Sequence, residues 1–166
     1  MVDLYDLRQD DIGRVYLVRE RTLSEEDWKL TLSVEVKRFA DSVLCMSYIA
    51  EEVFYVLAVR SSMQVMGVFL LSKGTVICTL VGVREVFERL LLLGAVGFIV
   101  LHNHPSGNPV PSEFDQKITR RLKEAADLMG LILYDHVIVG QLGYYSFKEN
   151  MTEYWKEEKS DGCMVV

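Results

Sequence analysis

Two imidazoles, His102 and His104, stand one residue apart, and a carboxylate, Asp115, closes the same short stretch. In an extended segment alternate side chains project to one side, so the two rings face one way and Asn103 the other. The apolar run Gly97-Phe98-Ile99-Val100-Leu101 just before them reads as a buried strand. Such a strand delivers both imidazoles at its carboxyl edge, where neutral ring nitrogens can meet a divalent ion. All three prolines of the chain, Pro105, Pro109 and Pro111, lie in the loop that follows. Each holds φ at about −65° and Gly107 permits a sharp reversal, so the loop has few conformations and a defined exit. Ser112 reads as the N-cap of a helix opening with Glu113, Phe114 and Asp115, which turns Asp115 back towards the histidines. Two imidazoles and one carboxylate make three protein ligands with a fourth position left for water. That is the pattern of a catalytic rather than a structural zinc site.

The same residues carry a family resemblance. His-x-His, seven residues, Ser, two residues and Asp is similar to the metal motif of the JAB/MPN metalloproteases. Within them the chain most resembles RadC, on His102 to Gly107, Pro111, Ser112, Asp115 and Thr119, and again on Asp135 to Gly140 and Tyr145-Ser146-Phe147. The resemblance runs from about residue 22 to 150. It implies an α/β fold with a mixed sheet, in a JAB/MPN-like, cytidine-deaminase-like three-layer architecture with flanking helices. It also implies one zinc ion on His102, His104 and Asp115, and a hydrolase of peptide or isopeptide bonds. Long RadC proteins carry an N-terminal helix-hairpin-helix region. Nothing before residue 50 supplies its paired glycine turns, so the chain reads as a short form.

A water attacking a carbonyl needs a base that takes its proton and passes it to the leaving amine, preferably a carboxylate beside the metal but outside its coordination. In the JAB/MPN pattern this role belongs to a glutamate at the start of an early core strand, and Glu52 directly precedes Val53 and Phe54. Alternation points Glu51 the other way. Ser112 has two jobs open to it: capping its helix, or, as in the related metalloproteases, stabilising the oxyanion of the tetrahedral intermediate. His136, alone on an apolar strand, reads first as a hydrogen-bonded core residue and second as a support for the ligands or a contact to substrate. Thr119, one turn after Asp115, either bonds near the ligand or back-bonds within its helix.

The elements that position these residues follow from periodicity. Residues 1–21 form an N-terminal segment, polar and acidic over 1–13 and then a short strand at 14–19. Trp28, Leu32, Val36 and Phe39 recur at helical spacing after Ser24, predicting a helix over 24–41. Strands are expected over 51–59 and 64–71 as an antiparallel pair, then a helix over 83–93, the strand at 97–101, and a helix over 112–129 that buries Ile118, Leu122, Ala125 and Met129. A strand over 131–139, a turn, and a last strand at 144–147 complete a domain over 22–150. Residues 151–166 read as a terminal helix and tail around Tyr154 and Trp155.

Composition narrows the function. The chain has 166 residues, half of them hydrophobic, enough for one domain with a substantial core. Asp3, Asp6, Asp10 and Asp11 occupy the place where a secretory leader is basic and then apolar. The longest apolar stretch, 90–101, is interrupted by Gly94 and Gly97 and is shorter than the roughly twenty residues that span a bilayer. A soluble, cytoplasmic protein with no membrane partner is expected. Cys45, Cys78 and Cys163 are odd in number and form no Cys-x-x-Cys pair, as free thiols in a reducing compartment would be. A net charge of −6 argues against tight non-specific binding along nucleic acid. Lys117, Arg120, Arg121 and Lys123 read as a solvated helix face, or alternatively as a patch that steers an acidic substrate or nucleic acid. The expected partner is a protein or peptide substrate. The competing reading is an accessory protein of DNA repair or recombination with a structural or silent metal site. The adjacent letters His-Asn-His carry no nuclease meaning, and the His-x-Glu and Pro-Cys-x-x-Cys ligands of zinc deaminases are absent.

Overall fold

The computed structural model describes residues 1–74 and 81–151. In chain order the elements are β1 (Val2–Gln9), β2 (Val15–Ser24), α1 (Ser33–Ser42), β3 (Val53–Val59), β4 (Val65–Lys73), α2 (Val83–Leu93), β5 (Gly97–Asn103), α3 (Glu113–Met129), β6 (Ile132–Gly140), β7 (Gly143–Ser146) and the single turn α4 (Phe147–Asn150). The strands form a seven-stranded mixed sheet in the order β2-β1-β4-β3-β5-β6-β7. β5 is buried from end to end because helices cover both of its faces. Ile99 and Leu101 enter the core shared with Val36, Phe39 and Ala40 of α1. Phe98 and Val100 enter the opposite core, with Val86, Phe87 and Leu90 of α2 and Ile118, Leu122 and Ala126 of α3. This is the mixed α/β, helix-flanked architecture read from the sequence. β5 runs antiparallel to β3 and parallel to β6, with α3 as the crossover between the parallel pair.

The N-terminal segment differs from expectation. Residues 2–9 form β1, which pairs with β2 as a hairpin and meets β4 in parallel at Leu4↔Val68. The acidic residues hide its alternation: Val2 and Leu4 enter the core, while the carboxylate of Asp3 accepts a hydrogen bond from Thr22 Oγ1 at 2.7 Å. The first helix also begins later, at Ser33. Val65 donates its N–H to the Trp28 carbonyl and Lys29 bridges to Gln64, so this stretch is extended. Trp28 nevertheless packs edge-on against Phe39, with ring centroids 5.3 Å apart. Its helical spacing therefore reported a shared core, not a shared helix. In α3 the buried stripe continues at steps of four through Ile118, Leu122 and Ala126, and Met129 is exposed. Among the described residues no helix is long and apolar enough to cross a membrane. Cys45 is a free, exposed thiol. Cys78, Cys163 and the expected terminal helix lie outside the described residues.

A buried carboxylate locks the far end of the sheet. Asp135 of β6 accepts hydrogen bonds from Ser33 Oγ of α1 at 2.9 Å, Ser146 Oγ of β7 at 2.7 Å and the Lys148 N–H of α4 at 3.0 Å. Burial pushes its pKa up in spite of these donors. A carboxyl whose folded pKa is raised favours the folded state below its ordinary value, and that contribution is lost as pH rises through the folded value. Asp135→Asn, which cannot ionise, is therefore expected to gain stability relative to the parent between about pH 4 and pH 7. The gain is about 1.4 kcal/mol for each unit by which the folded pKa exceeds the ordinary one. Denaturant midpoints at the two pH values measure it, and a pH-independent difference would contradict the assignment.

Candidate metal centre

The strand geometry of β5 continues past its last residue, because the His104 N–H donates to the Val139 carbonyl of β6 at 2.9 Å. Alternation therefore holds through His104, and the Nε2 atoms of His102 and His104 come to lie 3.0 Å apart on one side of the sheet. The chain then reverses at Gly107, whose φ of +82° is strained for residues with a side chain. The Gly107 carbonyl accepts the Leu142 N–H at 3.1 Å. That close approach needs a glycine at position 140, since a Cβ there would sit 2.3 Å from the Gly107 oxygen. Ser112 then caps α3 reciprocally: its Oγ accepts the Asp115 N–H at 3.2 Å, and Asp115 Oδ2 accepts from Ser112 N–H at 2.7 Å and Oγ–H at 2.6 Å. The cap swings the carboxylate onto the histidines, with Oδ1 3.2 Å from His102 Nε2 and Oδ2 3.5 Å from His104 Nε2.

The proton positions follow by elimination. Thr119 Oγ1 donates to the Asp115 carbonyl at 2.5 Å, so His136 Nδ1, 2.6 Å from the same hydroxyl, must be the donor to it. Burial holds the pKa of His136 well below the usual imidazole range, so the ring is neutral and its Nε2 is bare. His102 Nδ1, 2.8 Å away, then donates to that nitrogen, which directs His102 Nε2 at Asp115. His104 reaches the same state by another route, since its Nδ1 donates to the Asn108 carbonyl at 2.9 Å. Ring planes are fixed as well: Phe54 stacks on His102, and Phe147 stacks on His136 with centroids 4.8 Å apart.

Two imidazole Nε2 atoms and a carboxylate thus converge, an arrangement that calls for a positive charge at its centre. Hydrogen bonding to Asp115 raises the His104 pKa. Burial alone would raise the Asp115 carboxyl, but its hydrogen bonds to His102 and His104 outweigh burial and hold it far below the usual carboxylate range. The 3.0 Å between the two Nε2 atoms, and the 3.2 and 3.5 Å that separate them from Asp115 Oδ1 and Oδ2 respectively, are close to what zinc requires. Tetrahedral ligands with bonds of about 2.0–2.1 Å lie about 3.3 Å from one another. The donor set fits the metal.

Glu52 completes the cluster. Among the described residues, Glu52, His102 and His104 form a group whose ligand atoms all lie within 4.8 Å of one another. Glu51 turns away to an exposed ion pair with Lys73 at 2.7 Å. The structure thus brings together His102, His104, Asp115, Ser112 and Glu52, with Thr119 and His136 in a hydrogen-bonded chain behind His102. It places both of the jobs foreseen for Thr119 on one hydroxyl. Asn103 is the residue whose part the sequence reading missed. Its signal was the alternation itself, because a polar side chain sent to the buried side of a strand must find partners there. Substituting His136 with phenylalanine keeps the ring stack but leaves the His102 Nδ1–H without an acceptor. Zinc affinity is expected to fall by about 10–100-fold, read by competitive chelation on variant protein whose circular dichroism is unchanged.

Comparison with known proteins places the chain in a family. Residues 22–152 match the family model for a RadC-like JAB domain. The chain is 40% identical over 129 residues to a UPF0758 protein of Thermotoga maritima, covering 78% of this chain and 57% of that protein. It is 43% identical over 104 residues to one of Symbiobacterium thermophilum, and 39% identical over 106 residues to one of Clostridioides difficile, covering 44% and 45% of those proteins. The chain spans about half the length of the curated relatives it matches.

Proposed function

The chain belongs to the RadC-like JAB domain family, and on that premise we propose that it is a zinc-dependent hydrolase of peptide or isopeptide bonds. The observation that carries the reading is the convergence of two imidazole Nε2 atoms and the Asp115 carboxylate, with Glu52 facing them. His102, His104 and Asp115 would hold the ion. Zinc, when bound, brings the pKa of a water ligand to about 7 and polarises a carbonyl oxygen. Glu52 takes the proton of the attacking water and hands it to the departing amine nitrogen. Ser112 offers its hydroxyl to the carbonyl oxygen as that atom gains negative charge. To do so it turns its proton away from Asp115 Oδ2, which keeps the Ser112 N–H as a partner at 2.7 Å. One hydroxyl can thus serve both jobs, its oxygen still accepting the Asp115 N–H of the cap while its proton turns to the substrate. The proposed partner is a protein or peptide, and the proposed setting is the reducing cytoplasm, which suits the exposed Cys45 thiol.

The test is metal content followed by hydrolysis of a panel of peptide and isopeptide-linked substrates, with and without a chelator. About one zinc per chain is expected, with cleavage that chelation abolishes and added zinc restores. Cleavage that survives chelation would remove the proposal. Zinc-loaded protein that cleaves nothing but binds DNA with the salt dependence of phosphate contacts would replace it with the accessory role.

A further inference from the structure

The sheet does not by itself orient Glu52. On the β5 side, the β3 ladder ends at the pair Phe54↔His102, so the backbone on either side of residue 52 has no strand partner there. The side chain of Asn103 takes the place of the missing ladder. Its Oδ1 accepts the Val53 N–H at 2.7 Å, and its two Nδ2 protons go to the carbonyls of Glu51 and Ile49, each at 3.1 Å. The groups it holds directly around Glu52 are the N–H that follows the residue and the carbonyl that precedes it. On the β4 side the Glu52 carbonyl accepts the Gly74 N–H at 2.9 Å. Asn103 is 2% exposed and every polar hydrogen it carries is engaged.

Taking Glu52 as the base of the proposed hydrolase, we infer that Asn103 is a positioning residue that aims it at the metal centre. The residue between the two histidines thereby couples the opposite faces of the sheet. His102 and His104 project to the metal side, while Asn103 projects to the other side and sets the backbone that carries the base. A carboxamide suits the task because it offers an acceptor and two donors in one plane. Aspartate lacks the donors, and leucine lacks both.

A double-mutant cycle on zinc affinity and on turnover tests this, using Glu52→Gln, Asn103→Ala and the pair. Glu52→Gln removes a negative charge facing the ion and is expected to weaken zinc by about fivefold to tenfold. Asn103→Ala is expected to weaken zinc by a similar factor and to lower turnover with KM unchanged. In the Glu52→Gln background it should do neither, because the group it positions is gone. Equal effects of Asn103→Ala in both backgrounds would mean general support of the fold and would overturn the inference, as would an Asn103→Ala protein indistinguishable from the parent. If Glu52→Gln changes neither zinc affinity nor turnover, the base assignment fails first and the inference falls with it, a distinguishable result. Should Asn103→Ala not fold, Asn103→Asp keeps the acceptor for Val53 N–H, loses both donors, and carries the same cycle.

Discussion

Asp115→Ala protein is expected to lose stoichiometric zinc. Structural zinc sites gather about 10–16 kcal/mol from four ligands, so each ligand accounts for roughly 3–4 kcal/mol and its loss for about a 10²–10³-fold drop in affinity. The geometry singles out Asp115 because its carboxylate lies within 3.2 and 3.5 Å of the two imidazole nitrogens and is already ionised between them. The same substitution removes half of the reciprocal cap of α3, at a cost of about 1 kcal/mol, so the metal-free variant should unfold only slightly more readily than the metal-free parent. Asp115→Asn separates the two effects, since its carboxamide oxygen still accepts the Ser112 N–H but binds zinc poorly. Elemental analysis and competitive chelation beside the parent give the answer. If parent and variant bind zinc equally, Asp115 is not a ligand, and the centre is instead the group of Glu52, His102 and His104.

Glu52→Gln protein is expected to keep its zinc, within about tenfold in affinity, and to lose turnover by about 10²–10⁴-fold, the contribution of a positioned general base. Glutamine has the same shape and holds a water as well as glutamate does, but it cannot take the proton. Glu51→Gln is the control. Glu51 points to Lys73 at the surface, where solvent screens an exposed pair of that kind, so its turnover should match that of the parent. The decisive reading is kcat at equal zinc occupancy. Retained turnover in Glu52→Gln would assign the proton transfer to another group.

Much of this centre was legible because its specification is local. His102, His104, Ser112 and Asp115 lie on one strand end, one rigid loop and one helix cap, each with its own short-range signal. The strands of the core were legible for the same reason, since β3 and β5 are apolar runs bounded by turns. What escaped depends on tertiary partners. β1 alternates only when Asp3 is recognised as bonded to Thr22 of its hairpin mate. The start of α1 was obscured because Trp28 joins the same core from an extended segment. The proton chain from Thr119 through His136 to His102 joins residues on α3, β6 and β5, and no sequence spacing reports it. Asn103 was visible as a residue and unreadable as a role, because its partners lie some fifty positions earlier in the chain.

The division of the centre between two parts of the chain has a consequence for its history. All three proposed ligands and the chain that orients His102 belong to the continuous β5–α3–β6 unit, whereas Glu52 is the residue just before β3, which runs antiparallel to β5. In the proposed mechanism, holding an ion and activating a water are therefore specified by separate segments. A lineage can exchange the one acidic side chain that precedes β3 and keep the fold, the cap and the proposed ligand set. A catalyst and a silent metal binder then lie one substitution apart, and descent alone does not tell which of them a given member has become.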